Sequence, residues 1–223
     1  MEPMEPLVKY KVNEIFYSIQ GEGWFTGTPM IFVRFSGCNL KCSWCDTKYH
    51  LTGTEYDIVQ LTQKIIEIKK QYANDSFVGP TSICLTGGEP TIQPAFSLLC
   101  STLIGLGFCL YIETNGTGKI DAYLQLNRGA HITVSPKRQT KFMLPNFYHV
   151  VKIIVDEEMT WEELLTITFP VFTYNDQQSL FFHVPIYLQP VYYNPRCLKK
   201  ALKWVKEGTF FLSLQTHKMI HIK

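Results

Sequence analysis

Charge is scarce in this chain of 223 residues: only 18% are Asp, Glu, Lys or Arg, against roughly 25% in an average soluble domain. The signs nearly cancel, 21 basic against 19 acidic, and basic residues form no run longer than a pair such as Lys69-Lys70 or Lys199-Lys200. A nucleic-acid backbone is therefore not an expected partner. Met1–Lys11 lacks the apolar stretch of roughly 7–15 residues that marks a secretory signal, and residues 1–10 read as a loose tail. The longest charge-free run covers the 23 positions 90–112, but Pro90, Gln93, Pro94, Ser97, Gly105 and Gly107 punctuate it. That pattern predicts a buried helix around 94–104, a glycine turn and a strand at Phe108–Ile112 rather than a membrane span. Repeats and low-complexity tracts are also missing, so one domain over 1–223 is expected. A chain of this length removes about 70% of its unfolded surface from water without needing disulfides.

Seven cysteines, at 38, 42, 45, 84, 100, 109 and 197, form an odd set. With no secretory signal they read as reduced thiols of a soluble cytoplasmic protein. Four are scattered through apolar surroundings, where Cys behaves as a small hydrophobe. The other three are clustered.

Short apolar runs rich in β-branched residues alternate with helical patterns. Strands are predicted at Ile31–Phe35, Ser82–Leu85, Phe108–Ile112, His131–Val134, His149–Val155, Phe182–Leu188 and Thr209–Leu214. Helices are predicted at Glu55–Tyr72, 157–166 and 195–206, with Pro195 in the first turn of the last. Alternating strands and helices imply an α/β fold with a largely parallel sheet. In such sheets ligands bind beyond the carboxyl ends of the strands. Gly37–Thr47, Thr86–Pro90, Glu113–Gly116 and Ser135–Lys137 each follow a predicted strand there.

Cys38-Asn-Leu-Lys-Cys42-Ser-Trp-Cys45 has the spacing C-x3-C-x2-C. Three thiolates this close suit one soft metal centre. A structural zinc site would need a fourth protein ligand; Asp46 and His50 stand nearby, but no second C-x2-C or H-x3-H pair completes a tetrahedron. A [4Fe–4S] cluster held by three cysteines instead keeps one iron open to a small molecule.

The loop resembles the signature of the radical S-adenosylmethionine (SAM) enzymes, and Thr86-Gly-Gly-Glu-Pro90 is similar to their GGE motif. Within that superfamily the match narrows. Glu14-Ile-Phe-Tyr-Ser-Ile-Gln-Gly-Glu-Gly23, Phe25-Thr-Gly-Thr-Pro29, Arg34, Trp44-Cys-Asp-Thr47, Ser135-Pro-Lys137, Gln189-Pro190 and Leu214-Gln-Thr-His-Lys218 occur in order. Together, over about 14–218, they resemble the 7-carboxy-7-deazaguanine synthase family of deazapurine (queuosine-type) biosynthesis. The resemblance implies a shortened, incomplete (β/α) TIM-like barrel, a homodimer, and a lyase that converts 6-carboxy-5,6,7,8-tetrahydropterin to 7-carboxy-7-deazaguanine with loss of ammonia. It also implies a [4Fe–4S] cluster, SAM, Mg²⁺, and an external electron donor such as flavodoxin or ferredoxin. In that chemistry one-electron cleavage of SAM gives methionine and a radical that takes hydrogen from C6 of the pterin.

Carried over residue by residue, the resemblance makes Cys38, Cys42 and Cys45 the cluster ligands. It assigns Trp44, Cys45, Asp46, Gly88, Glu89, Ser135, Pro136 and Lys137 to SAM. Ile19, Gln20, Gly21, Arg34 and Thr86 match substrate positions, and Thr47 matches the Mg²⁺ ligand. Physical chemistry supports Arg34, whose planar fork suits a carboxylate, although a surface ion pair is the plainer reading. Gln20 and Glu22 suit a pterin's hydrogen-bonding edge, or simply a Gln-Gly-Glu-Gly turn. Ser135–Lys137 and Thr47 have turn readings too, Thr114 or Asn115 would cap a helix, and His217 is either a substrate contact or a solvated histidine. Two features depart from the family pattern: Phe210-Phe211 stands near the start of the last strand, where a basic residue is expected, and the tail ends Met-Ile-His-Ile-Lys223. The competing functions are a glycyl-radical activase of the same superfamily and a zinc-stabilised binding module.

Overall fold

A computed structural model describes residues 8–45, 52–121, 129–138, 148–177, 184–192 and 194–223. The chain divides into two compact units whose segments interleave: 1–18, 29–113 and 118–131 in the first, 19–28, 114–117 and 132–223 in the second.

The first unit is built on strands β1 (Tyr10–Ile19, its last residue in the second unit), β2 (Pro29–Phe35), β3 (Thr54–Tyr56), β4 (Ser82–Gly87) and β5 (Cys109–Thr114). Their order is β3-β1-β2-β4-β5. β2, β4 and β5 run parallel, with Arg34 in register with Thr86 and Phe35 with Gly87. Parallel central strands are covered on both faces, and Met30, Ile31, Val33, Ile83, Leu85, Leu110 and Ile112 are fully or almost fully buried. Helices α1 (Ile58–Gln71) and α2 (Phe96–Gly105) bury Leu61, Ile65 and Ile68, and Phe96, Leu99 and Leu103. The charge-free run 90–112 thus resolves into a 3₁₀ turn at Pro90–Ile92, α2, and the start of β5.

Two expectations need correction in this unit. Tyr10 is not tail: it opens β1, is fully buried, and pairs with Tyr56. The predicted helix Glu55–Tyr72 begins only at Ile58, because Thr54–Tyr56 pairs antiparallel with β1. Asp57 then starts the helix through a reciprocal capping box with Gln60, its carboxylate accepting the Gln60 N–H at 2.9 Å.

The second unit takes over within β6 (Ala130–Val134) and continues with β7 (Val150–Val155), β8 (Ile186–Pro190) and β9 (Phe211–Leu212), with β6–β7, β7–β8 and β8–β9 each pairing in parallel. One face presents Val151, Ile153, Val155, Ile186 and Leu188, every one buried. Helix α3 (Trp161–Gln177) starts later than predicted and runs further. The Asp156 carboxylate first draws the 158 and 159 amides into a turn, and the Thr160 and Glu163 side chains then bond each other's backbone N–H. Helix α4 (Pro195–Glu207) is capped by Asn194, which accepts the N–H groups of Arg196 and Cys197, and it buries Cys197, Ala201 and Trp204. A last turn, α5, spans Thr216–Met219. The predicted strand Thr209–Leu214 shrinks to two residues because Ser213 turns its hydroxyl to Gln189 and accepts the Gly23 N–H. Residues 182 and 183 of the predicted Phe182–Leu188 strand lie outside the described residues. No helix among the described residues is long and apolar enough to cross a membrane.

Candidate functional site

In the first unit, β2 ends at Phe35 and the chain passes through Ser36 and Gly37 into the cysteine loop. Ser36 ties this exit down: its N–H donates to the Lys11 carbonyl at 2.8 Å, its carbonyl accepts from Gln93 at 2.9 Å, and its hydroxyl donates to the Thr52 carbonyl. The loop folds back on itself through Cys45 N–H to the Cys42 carbonyl at 3.2 Å, and the Cys38 sulfur accepts the Leu40 N–H at 3.4 Å. Cys38, Cys42, Trp44 and Cys45 are all half-buried. Burial pushes the Cys38 thiol up; the Leu40 amide opposes this, while Glu89, Cys42 and Cys45 add to it. Asp46, Thr47 and His50 lie outside the described residues.

The Gly87–Glu89 turn is laid directly on this exit. Gly88 N–H donates to the Phe35 carbonyl and Glu89 N–H to the Gly37 carbonyl, both at 2.9 Å. A Cβ on Gly88 would run into the Gly37 carbonyl and come within 3.2 Å of the Cys38 nitrogen, so no larger residue fits. Glu89 is fully buried, and its Oε1 accepts from the Thr91 N–H at 3.1 Å and the Thr91 hydroxyl at 2.5 Å. Arg34 and Thr86 stand side by side in register. The Arg34 Nε donates to Glu14 at 2.8 Å, and the guanidinium lies 5.9 Å from the Phe16 ring centre, itself stacked on Phe32 at 5.1 Å. The ion-pair reading of Arg34 is therefore correct in its geometry, and the pair fixes the plane of the fork.

In the second unit, Gln20–Gly23 forms a tight loop closed by Gln20 N–H to the Thr28 carbonyl and Gly27 N–H to the Gln20 carbonyl, both at 2.8 Å. Ile19 is exposed, Gln20 is buried, and the Gln20 Oε1 accepts the Glu22 N–H at 3.2 Å. Thr216 clasps Gly21: its N–H and hydroxyl donate to the Gly21 carbonyl at 2.9 and 3.2 Å. A Cβ on Gly21 would collide with His217, so His217 sits against the loop rather than in solvent. Lys152 donates to Glu22 Oε2 at 2.6 Å and Gln215 to Oε1 at 2.7 Å. Burial alone would raise the Glu22 carboxyl; the Lys152 charge and hydrogen bond, with bonds from Gln215 and Gln189, overcome it and hold it at about 2.

Also in the second unit, Ser135 N–H donates to the Thr114 carbonyl at 2.7 Å, and Lys137 donates to the Ser135 hydroxyl at 2.6 Å. Ser135 and Pro136 are buried. Thr114 and Asn115 cap no helix: their side chains accept the Gly116 and Thr117 N–H groups and shape the turn.

The radical SAM superfamily model matches residues 32–137. A 7-carboxy-7-deazaguanine synthase of Bacteroides thetaiotaomicron is 35% identical over 213 residues, 96% of this chain and 98% of its own length. The chain belongs to the 7-carboxy-7-deazaguanine synthase family. Another member, from Aquifex aeolicus, is 33% identical over 95% of this chain and 94% of its own. The crystal structure of QueE from Escherichia coli matches with a TM-score of 0.71 at 24% identity, over 93% of this chain and 94% of that one. This likeness gives the family fold, an α/β incomplete (β/α) barrel of the radical SAM type, as the motifs implied. With synthases along the full length, neither the activase nor the zinc module is favoured.

Radical SAM enzymes of this family use a [4Fe–4S] cluster and SAM, and the donor chemistry of the 38–45 loop fits such a cluster. Its three thiols are soft donors on one short loop, mutually close enough for Cys42 and Cys45 to act on Cys38. Among the described residues no three of His, Cys, Asp and Glu already stand as a metal cage. Sequence reasoning missed Lys152 and Ser213 and gave Glu14 no role. Lys152 had a signal: it is the one charge inside the strand Val-Val-Lys-Ile-Ile-Val, and a charge placed there needs a partner.

Proposed function

We propose that this protein is a 7-carboxy-7-deazaguanine synthase, a radical SAM carbon–nitrogen lyase that contracts 6-carboxy-5,6,7,8-tetrahydropterin to 7-carboxy-7-deazaguanine with loss of ammonia. The observation that supports it most is the Gly87–Glu89 turn bonded to the exit into the cysteine loop, in a chain that follows synthases over its full length. When bound, the cluster and SAM supply one-electron chemistry that removes a hydrogen atom from the substrate.

The chain's own residues then bind and orient. Cys38, Cys42 and Cys45 hold the cluster. Trp44, Asp46, Gly88, Glu89, Ser135, Pro136 and Lys137 hold SAM. Glu89 is aimed by Thr91, and the Lys137 ammonium, fixed by Ser135, suits the SAM carboxylate. Ile19, Gln20, Gly21, Arg34 and Thr86 take the pterin, with the Arg34 fork oriented by Glu14 for the substrate carboxylate. Thr47 would contribute a hard oxygen to Mg²⁺, whose charge would complement the same carboxylate. The electron comes from an external donor such as flavodoxin or ferredoxin, the working unit is a homodimer, and reduced thiols with an oxidisable cluster suit the cytoplasm.

Anaerobic reconstitution, followed by turnover with SAM, dithionite and the carboxylated tetrahydropterin, tests this reading. The expected result is a brown protein and a product lighter than the pterin by the mass of ammonia. SAM cleavage without that product would overturn the substrate assignment, and a colourless zinc-loaded protein would overturn the class. Mg²⁺ titration of turnover in the parent and Thr47→Ala tests the metal: an unchanged response removes Thr47 from the site.

A further inference from the structure

We propose that Lys152 is a positioning residue for the substrate: acting through Glu22, it fixes the shape of the Gln20–Gly23 loop against which the pterin binds. The inference rests on the pterin reading above, and all of its residues lie in the second unit.

Lys152 is 5% exposed in an otherwise apolar strand. A lone buried ammonium is strongly destabilising, so it persists only beside a compensating anion. Here the anion is a carboxylate 130 positions away in sequence, on a loop rather than on a neighbouring strand. Register explains how the sheet reaches that loop. Gln189 pairs with Ile154 and Phe211 with Tyr187, so Lys152, Gln189 and Ser213 share one sheet face. All three are buried. A closed circuit results. Gly23 N–H donates to the Ser213 hydroxyl at 2.9 Å, Ser213 to Gln189 at 2.8 Å, Gln189 to Glu22, and Glu22 accepts Lys152 and Gln215. Lys218 holds the other end of the Gln215 amide at 3.1 Å.

A salt bridge that only braced the fold would not need this position. Glu22 adjoins Gln20 and Gly21, and its own N–H bonds the Gln20 side-chain oxygen at 3.2 Å. Turning the Glu22 peptide would turn the Gln20 carboxamide with it. Lys152 therefore acts on the substrate two steps away, through Glu22 and then Gln20. Its loss should move pterin recognition and leave SAM alone.

The experiment measures pterin and SAM affinity by anaerobic calorimetry, and amide exchange of residues 19–28, in the parent, Lys152→Met, Ser213→Ala and the double variant Glu22→Gln/Lys152→Gln. Lys152→Met should weaken pterin binding about tenfold or more while SAM affinity stays within about twofold. Exchange should quicken at 19–28 while β2 and β4 stay protected. The double variant replaces an ion pair by two amides and should recover most of the affinity, so the effects should be strongly non-additive. If Lys152→Met does not fold, Ser213→Ala removes the Gly23 tether without stranding a charge and should cost about threefold to fivefold in pterin affinity alone. Equal losses of pterin and SAM affinity, or unchanged exchange at 19–28 in the folded variants, would overturn the inference. A parent protein that binds SAM but no pterin would defeat the function reading instead, while the exchange measurement would still decide whether Lys152 orders the loop.

Discussion

The cysteine loop with its Gly87–Glu89 turn and the Gln20–Gly23 loop are fastened to the sheet by different means. The first is held by main-chain bonds between neighbouring strand ends, such as Gly88 to Phe35 and Glu89 to Gly37, with glycine where two backbones nearly touch. The second closes on a few main-chain bonds of its own and is fastened to the sheet by side chains: an ion pair, two glutamines and a serine gathered from β7, from the ends of β8 and β9, and from the final turn. Main-chain support depends little on which residues stand around it, so its few obligatory positions form a readable motif. Side-chain support scatters its obligatory residues across the chain, where no short pattern shows them. A cofactor site that serves many reactions suits the first construction, and a site specific to one substrate suits the second.

The sharpest way to break this contrast is at the cysteines. Cys42→Ala removes a thiolate that nothing on the loop replaces and should abolish iron binding and the band near 400 nm. Cys84→Ala, Cys100→Ala and Cys197→Ala should keep their iron, since these three are buried hydrophobes. Iron analysis after anaerobic reconstitution separates the two sets, and full iron in Cys42→Ala would remove the cluster assignment.

Acid should expose the charged clasp next. The Glu22 carboxyl lies at about 2 when folded, below its ordinary value of 4.5, because the Lys152 charge and the hydrogen bonds to it outweigh burial. Its contribution is therefore fully present above about pH 4.5 and lost as the pH falls toward about 2, on the order of 3 kcal/mol. Urea unfolding of parent and Glu22→Gln should show a stability gap that narrows across that window. A gap independent of pH would mean that Glu22 is not held ionised.

A smaller effect is expected on the main-chain side. Gly88→Ala must displace the Gly37 carbonyl and should cost roughly 1–3 kcal/mol of stability, together with SAM affinity. Gly105→Ala is the control, because nothing lies within 4 Å of its missing Cβ. Equal stability of the two variants would show that the turn is not crowded. The orienting pair should give one effect of similar size and one that is the smallest of all. Arg34→Ala should raise the pterin KM by roughly 2 kcal/mol, about 30-fold. Glu14→Gln keeps a hydrogen-bond acceptor and should cost only about threefold. A SAM KM that moves with the pterin KM would place Arg34 elsewhere.

The strands that sequence located to within two residues include the apolar parallel ones, β2, β4, β6 and β7, where burial on both faces leaves a short run dominated by apolar residues. β1 escaped because Tyr10–Ile19 mixes Lys11, Asn13, Glu14 and Ser18 with its apolar residues, four of its ten positions having the polar or charged look of a loop. β3 was absorbed into the helix that follows, since only the Asp57 capping box separates them. In the site, the cysteines and the GGE turn were legible because ligand chemistry and backbone crowding each restrict residue type at fixed spacing. Asp46 and Thr47, assigned from the same motif, lie outside the described residues. The Lys152–Glu22 circuit was not, since its members are brought together only by the sheet register of β7, β8 and β9.

The clasp on the Gln20–Gly23 loop also sets an order of events during folding. Its partners lie 130, 190 and 193 positions downstream, so the loop can be secured only after the last parallel strands have docked. Contacts of such long sequence separation form late, because the loss of chain entropy precedes any reward. The exit of β2 and the Gly87–Glu89 turn, about 50 positions apart, can settle well before that. In refolding followed by pulsed amide labelling, β2 and β4 should gain protection first and residues 19–28 among the last, so a newly made chain acquires its cluster pocket before it can recognise a substrate.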